Sequence, residues 1–253
     1  MSARVSGAVV ALGLLAAATA AQAGEVRVIS AGAVKSIMTD LAQAYEKETG
    51  NKVVMQFGPM GFVRQKLASD PADVVIMSDT VIEDTIAKGG VAAGSRTDIA
   101  RTGMGVGVRE GAPRPDISSV DAFKRTLLEA KSIIYVDPAS GATSGTHFAS
   151  VLQKLRIADA VKPKTTLVPG GYPAELVANG EVELVVHQIS EIVPVKGVTL
   201  VGPLPKEIQK VTVYAAGVAA KSTSAELGRG FIAFITRPAS KAKLAAAGLD
   251  YKE

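Results

Sequence analysis

Apolar positions along this chain follow two alternating patterns, short near-continuous runs and longer stretches of helical period. Val26-Arg27-Val28-Ile29-Ser30 reads as a strand that passes through the small residues Ala31-Gly32-Ala33 into a helix over 34–48. In that helix Val34, Ile37, Met38, Leu41 and Tyr45 keep one face apolar, and Gly50 provides the left-handed stop. Lys52 to Phe57 predicts a second strand, Gly58-Pro59-Met60-Gly61 a turn, and Val63 and Leu67 the buried face of a short helix. Ala72-Asp73-Val74-Val75-Ile76-Met77 has the unbroken apolar run of a buried parallel strand.

The alternation continues. A short helix is expected over 82–88, a strand over 104–108, a loop at Gly111-Ala112-Pro113-Arg114-Pro115 and a helix over 120–129. Ser132 to Val136 reads as a strand broken by Asp137-Pro138-Ala139-Ser140-Gly141, with a helix over 145–155 behind it. Leu167-Val168, Leu184 to Val186, Val198 to Val201 and Val211 to Val218 are further strands, and two helices close the chain. Strands and helices in alternation predict an α/β fold with helices on the faces of its sheets. No internal repeat is visible.

The first 23 residues change the picture of where the chain works. Arg4, the apolar run Val9 to Leu15 and the small residues of Ala21-Gln22-Ala23 have the order of a cleaved export signal. The apolar run is far shorter than the ~20 residues a bilayer requires. The expectation is a signal peptide over 1–23 and a mature chain from Gly24 that is not membrane-embedded. Without Arg4, 27 basic and 24 acidic residues remain, mixed along the chain. That mild surplus suits an anionic ligand and argues against nucleic acid. Cys is absent and His147 and His187 are the two histidines, so neither a disulfide framework, a metal centre nor a cofactor is expected.

Several segments in order resemble one family. Ile29-Ser30-Ala31-Gly32-Ala33 at a strand end, Glu46 to Val53 at a helix-to-strand passage, Pro71-Ala72-Asp73-Val74-Val75-Ile76, Asp137-Pro138 followed by Ser144-Gly145, and Phe231 to Ile235 followed by Pro238-Ala239-Ser240 look like the molybdate-type periplasmic solute-binding proteins. The resemblance runs over nearly all of 25–253. It implies an α/β, two-lobed periplasmic binding protein of type II with two crossover hinge strands. Lobe one would comprise 24–103 and 211–253, and lobe two 104–210, with crossovers near 101–108 and 210–217. It also implies a periplasmic location, an inner-membrane ABC permease as partner, and a monomer that closes on a small anion.

Four turns have the form of anion-binding helix starts, where unpaired backbone N–H groups and the helix dipole favour negative charge. The candidate ligand-binding residues are Ser30, Gly32 and Ala33 in the first turn, and Gly58, Pro59, Met60 and, one helical turn on, Arg64 in the second. Ser140, Thr143 and Ser144 stand in the third, Gly171 and Tyr172 in the fourth, and His187 and Gln188 at a strand end. Gly and Ser are common in any turn, so spacing alone favours ordinary strand-to-helix connections, and it is the family resemblance that points to ligand contact.

Departures from the family narrow the ligand. Where molybdate-binding members place serines this chain has Ala33 and Pro59-Met60-Gly61, and His187-Gln188 stand where they offer a tyrosine. Missing hydroxyls leave a buried tetrahedral oxyanion short of partners, and a carboxylate fits the altered walls better. Arg109 to Ser119 and Gly180-Glu181 with Val185 to Glu191 look like an organic-acid branch of the family that includes an aconitate isomerase. The expected function is capture of a small anion for an importer. The alternative is an isomerase of unsaturated tricarboxylates, with His187 as base and Arg64 and Lys35 facing carboxylates.

Overall fold

The computed structural model of the chain describes residues 23–250; the export signal expected over 1–23 lies, but for Ala23, outside them. The first sheet takes β1 (Glu25–Ala31), β2 (Lys52–Gly58), β3 (Val74–Ser78) and β4 (Thr97–Thr102). The second takes β5 (Met104–Arg109), β6 (Ile133–Val136), β7 (Thr165–Val168), β8 (Leu184–Gln188) and β9 (Val198–Pro203), after which β10 (Thr212–Val218) returns to the first. The strand orders are β2-β1-β3-β10-β4 and β7-β6-β8-β5-β9. This is the two-lobed α/β architecture expected, with one sheet at the centre of each lobe. The chain passes between the sheets at Gly103 and again over 204–211.

Both sheets are mixed in the same way. β1 is parallel to β2 and β3, and β6 is parallel to β7 and β8. One strand of each is antiparallel to both its neighbours, β10 to β3 and β4, and β5 to β8 and β9. The expectation for β3 is therefore corrected in part. Its apolar run does mark burial on both faces, but one of its two neighbours is antiparallel. β4, absent from the sequence reading, has a polar composition (Thr-Asp-Ile-Ala-Arg-Thr) because it is an edge strand, with only Ile99, Ala100 and Thr102 turned inward.

Helices α1 (Lys35–Thr49), α2 (Met60–Ser69) and α3 (Asp79–Ala87) follow β1, β2 and β3. In the second lobe α4 (Val120–Glu129), α5 (Thr143–Lys154), α6 (Ala158–Val161), α7 (Ala174–Ala178) and α8 (Ile189–Ile192) connect the strands, and α9 (Ala225–Thr236) and α10 (Pro238–Ala246) finish on the first lobe. A single 3-10 turn, Gly32–Val34, precedes α1. Gly50 ends α1 at φ 75°, its N–H donating to Glu46 O at 2.9 Å. Among the described residues no helix is long and apolar enough to cross a membrane.

Each sheet has its own core. Around the first, Ile29, Met38, Met77 and Phe231 are fully buried, and Tyr45 meets Phe231 and Phe234 edge-on at 5.3 Å. Around the second, Phe123 and Phe148 are buried and Tyr135 stands edge-on to Phe148 at 4.9 Å. Each such side chain is worth about 1.5–3 kcal/mol of transfer free energy. Inside the first lobe the fully buried Asp73 accepts from the Arg27 backbone N–H and guanidinium and from Ser222 Oγ, tying β1, the start of β3 and the segment after β10. Burial pulls the Asp73 pKa up, but these bonds outweigh it and hold the carboxyl below its usual range.

Candidate functional site

A cavity of about 110 Å³ lies between the two sheets, outside the carboxyl ends of β1, β2, β6 and β8, the place where open α/β sheets take their ligands. It is of the order of the ~150 Å³ cavity that admits a benzene ring. Three helix starts line it: the turn Gly32-Ala33 leading to α1, Pro59-Met60 at α2, and Ala142-Thr143-Ser144 at α5. The residues that precede α2 and α5, Pro59 and Ala142, make no side-chain capping bond. The helices that open onto the cavity thus leave first-turn donors without a side-chain partner.

The second sheet brings the titratable chemistry. β8 ends at His187 and Gln188, and the short α8 that follows turns Glu191 back to the same wall. His187 Nε2 lies 3.3 Å from Glu191 Oε2, with side-chain exposures of 2% and 10%. Neither ring nitrogen is in hydrogen-bonding geometry with a protein group. Glu191 Oε1 also closes against Gly32 of the opposite lobe, where an added Cβ would sit 3.6 Å away. A buried imidazole with both nitrogens open, beside a buried carboxylate, is a pair able to hold or pass one proton.

Two tyrosines complete the walls. Tyr214, on β10 of the first lobe, has its hydroxyl between both ends of the Gln188 amide, accepting from Nε2 at 2.7 Å and donating to Oε1 at 3.0 Å. Full burial, reinforced by Glu191, pushes the Tyr214 hydroxyl well up. Tyr172 is pushed up to about 12, chiefly by burial and next by the Glu191 charge. Both therefore remain protonated donors at neutral pH. Lys35 Nζ stands 5.7 Å from the Tyr172 ring centroid and lines the cavity from α1, the side chain otherwise open to solvent.

Of the residues singled out in the sequence, Gly32, Ala33, Gly58, Pro59, Met60, Thr143, Ser144, Gly171, Tyr172, His187 and Gln188 all line this cavity. Three do not. Ser30 is fully buried one residue too early, its Oγ turned to the Ala31 carbonyl at 3.2 Å. Ser140 donates to Asp137 O at 2.7 Å, and its own carbonyl packs against Gly61, so it shapes the contact between the lobes. Arg64 lies exposed on α2 beside a surface hollow formed with Asp84 and Lys88, while Met60 and Val63 take the buried face of that helix. His147 also lies elsewhere, with Nε2 2.9 Å from Ile208 O on the second passage between sheets. Glu191 and Tyr214 were missed. The His187-to-Glu191 spacing of four is a usable signal only once a strand-to-helix junction is known between them, and nothing local marks Tyr214.

The chain belongs to the family of bacterial extracellular solute-binding proteins, whose model matches residues 26–250, and the two-lobed fold with a cleft bordered by helix starts agrees with that class. Among named relatives, the chain is 35% identical to an aconitate isomerase of Pseudomonas sp over 223 residues, 85% of this chain and 84% of that one. It is 34% identical to the molybdate-binding protein ModA of Azotobacter vinelandii over 197 residues, 76% of this chain and 75% of that one. Among solved structures, an Azotobacter vinelandii periplasmic molybdate-binding protein superposes with a TM-score of 0.72 at 19% identity, covering 90% of this chain and 100% of the other.

Proposed function

We propose that this chain is a periplasmic isomerase of unsaturated tricarboxylates of the aconitate kind, built on a solute-binding fold. The observation that carries the proposal is the His187–Glu191 pair on the cavity wall. A receptor for a fully ionised compact oxyanion gains nothing from a buried carboxylate facing its ligand, because like charges in a low-dielectric site repel strongly. A proton-transfer enzyme requires such a group. The aconitate isomerase relative, matched over most of both chains, supports the same substrate class.

In this reading the substrate carboxylates meet the helix-start N–H groups, the Tyr172 hydroxyl and Lys35. Residues 24–103 with 211–253 close as one lobe on 104–210. Glu191 takes a proton from the substrate methylene, and the electron pair delocalises over the allyl unit. Protonated His187 then delivers a proton to the far carbon, so the double bond moves by one position with no net change in composition or oxidation state. The Glu191 proton returns to His187 across their 3.3 Å contact. Incubation with trans-aconitate in D2O, followed by proton NMR, is expected to show cis-aconitate carrying deuterium. An unchanged spectrum at high enzyme concentration rules the isomerase out.

The second reading is a non-catalytic receptor that delivers a small anion to an inner-membrane ABC permease. It is supported by the uncapped starts of α2 and α5, which suffice for binding alone. Calorimetric binding of molybdate or sulfate with no turnover of aconitate would select it.

A further inference from the structure

We infer that this cavity captures its anion together with one proton, which the His187–Glu191 pair takes up on binding. The inference rests on the cavity being an anion site, as proposed above, but not on any turnover there. In alkaline solution a histidine–glutamate pair carries a net negative charge. Glu191 is 7% exposed and His187 2%, so water can screen little of that charge once a carboxylate-bearing ligand fills the space in front of it. One added proton makes the pair neutral overall. Both ring nitrogens of His187 are unpartnered, so the proton has a vacant acceptor that needs no existing bond to break.

The surroundings leave this pair as the group that responds. Tyr172 and Tyr214 face Glu191 from the loop before α7 and from β10, and both are protonated already, their hydroxyls held in that form by burial. Lys35, from α1, is exposed and brings a positive charge to the rim of the cavity. Glu175 and Asp79 lie further off, acting on Tyr172 and Tyr214 respectively. β9 carries no titratable residue, and the single one on β5, Arg109, is exposed at the end of that strand remote from Gln188. Nothing else among the described residues at the cavity can accept a proton so close to the ligand.

The same feature provides selection. A ligand is retained only if its contacts repay the uptake of a proton, and its affinity falls as protons become scarce. By linkage the dissociation constant rises tenfold per pH unit wherever one whole proton is taken up. For a 1,3 proton shift this state is also the productive one, since a singly protonated pair contains one base and one acid.

The test is titration calorimetry of the full mature chain with propane-1,2,3-tricarboxylate, the saturated probe that cannot isomerise, between pH 7.5 and pH 9. Running it in two buffers of different ionisation enthalpy counts protons. About one proton taken up per ligand, with affinity weakening tenfold per pH unit, is the expected result. The double variant Glu191→Gln with His187→Gln is expected to lose the uptake and to bind at least tenfold more tightly than the native chain at pH 9. Uptake near zero in the native chain, or a pH-independent affinity, overturns the inference. So does failure of the native chain to bind this probe at pH 7.5. Proton uptake without aconitate turnover would sink the isomerase reading alone, whereas turnover without uptake would sink this one alone.

Discussion

On its first-lobe side the cavity is walled by Ala31, Gly32, Ala33, Phe57, Pro59 and Met60, whereas the second lobe brings Thr143, Ser144, Tyr172, His187, Gln188 and Glu191. One wall offers shape and backbone amides, with Lys35 and Tyr214 as its polar side chains. The other offers hydroxyls and a pair that can hold a proton. The contrast shows how a receptor fold can acquire chemistry without changing its frame. On the isomerase reading, helix starts would hold the anion from both sides, and one short helix after β8 would add the carboxylate that reacts.

Breaking that division where it matters most should have the largest effect. Glu191→Gln or His187→Gln is expected to lower kcat for aconitate isomerisation by about 10²–10⁴-fold, as loss of an acid or base does. Lys35→Met, on the opposite wall, should act instead through KM, raising it about tenfold as lost ground-state binding. Steady-state kinetics on the three variants separates the two walls, and equal effects on kcat would abolish the distinction.

Next in size is a packing asymmetry. An added Cβ on Gly145, in the first turn of α5, would fall 2.1 Å from the Val136 carbonyl oxygen, which is backbone and cannot swing aside. On Gly58 of the first lobe it would meet Phe62 Cδ1 at 2.4 Å and Phe62 Cβ at 2.8 Å, so turning the ring relieves only part of the clash. Urea unfolding should therefore show Gly145→Ala destabilised by about 3 kcal/mol and Gly58→Ala by about 2 kcal/mol.

Asp73 gives the first lobe an acid-sensitive tie. Because its folded pKa lies below the unfolded value, its contribution is complete above the unfolded value and disappears as pH falls through the folded one. Asp73→Asn should cost about 2 kcal/mol near neutral pH. The gap between native and variant midpoints should close as pH drops below about 4. A gap that persists unchanged into acid would mean the charge contributes nothing.

The smallest effect expected is that of Tyr214→Phe, which removes the hydroxyl lying between the two ends of the Gln188 amide and should cost about 1 kcal/mol. Thermal unfolding with and without tricarboxylate would locate that loss. If the link between lobes is used in closure, the deficit is larger with ligand present.

Local pattern alone reached much of this. Helix α4 over 120–129 coincides with the expectation, and β1, β2, β5 and β10 fall within one or two residues of theirs, because burial on one or both faces imposes an apolar rhythm that can be read. The start of α5 came two residues earlier than the pattern suggested. The polar edge strand β4 was invisible for want of that rhythm. Among site residues, Gly32, Pro59, Ser144 and Tyr172 were legible as turns at helix starts, since a turn is a local event. Arg64 was misplaced because Met60 and Val63 occupy the buried face of α2, which leaves Arg64 on the solvent side.

By itself, then, the order of residues determined most of the elements and the turns that expose backbone donors, both of which depend on neighbours a few positions apart. The pairing of Glu191 with His187, the insertion of Tyr214 from β10 against Gln188, and the outward placement of Arg64 were decided by tertiary structure. Those contacts join segments that approach only after two sheets have formed and faced each other, and no local propensity records where two separate surfaces will meet.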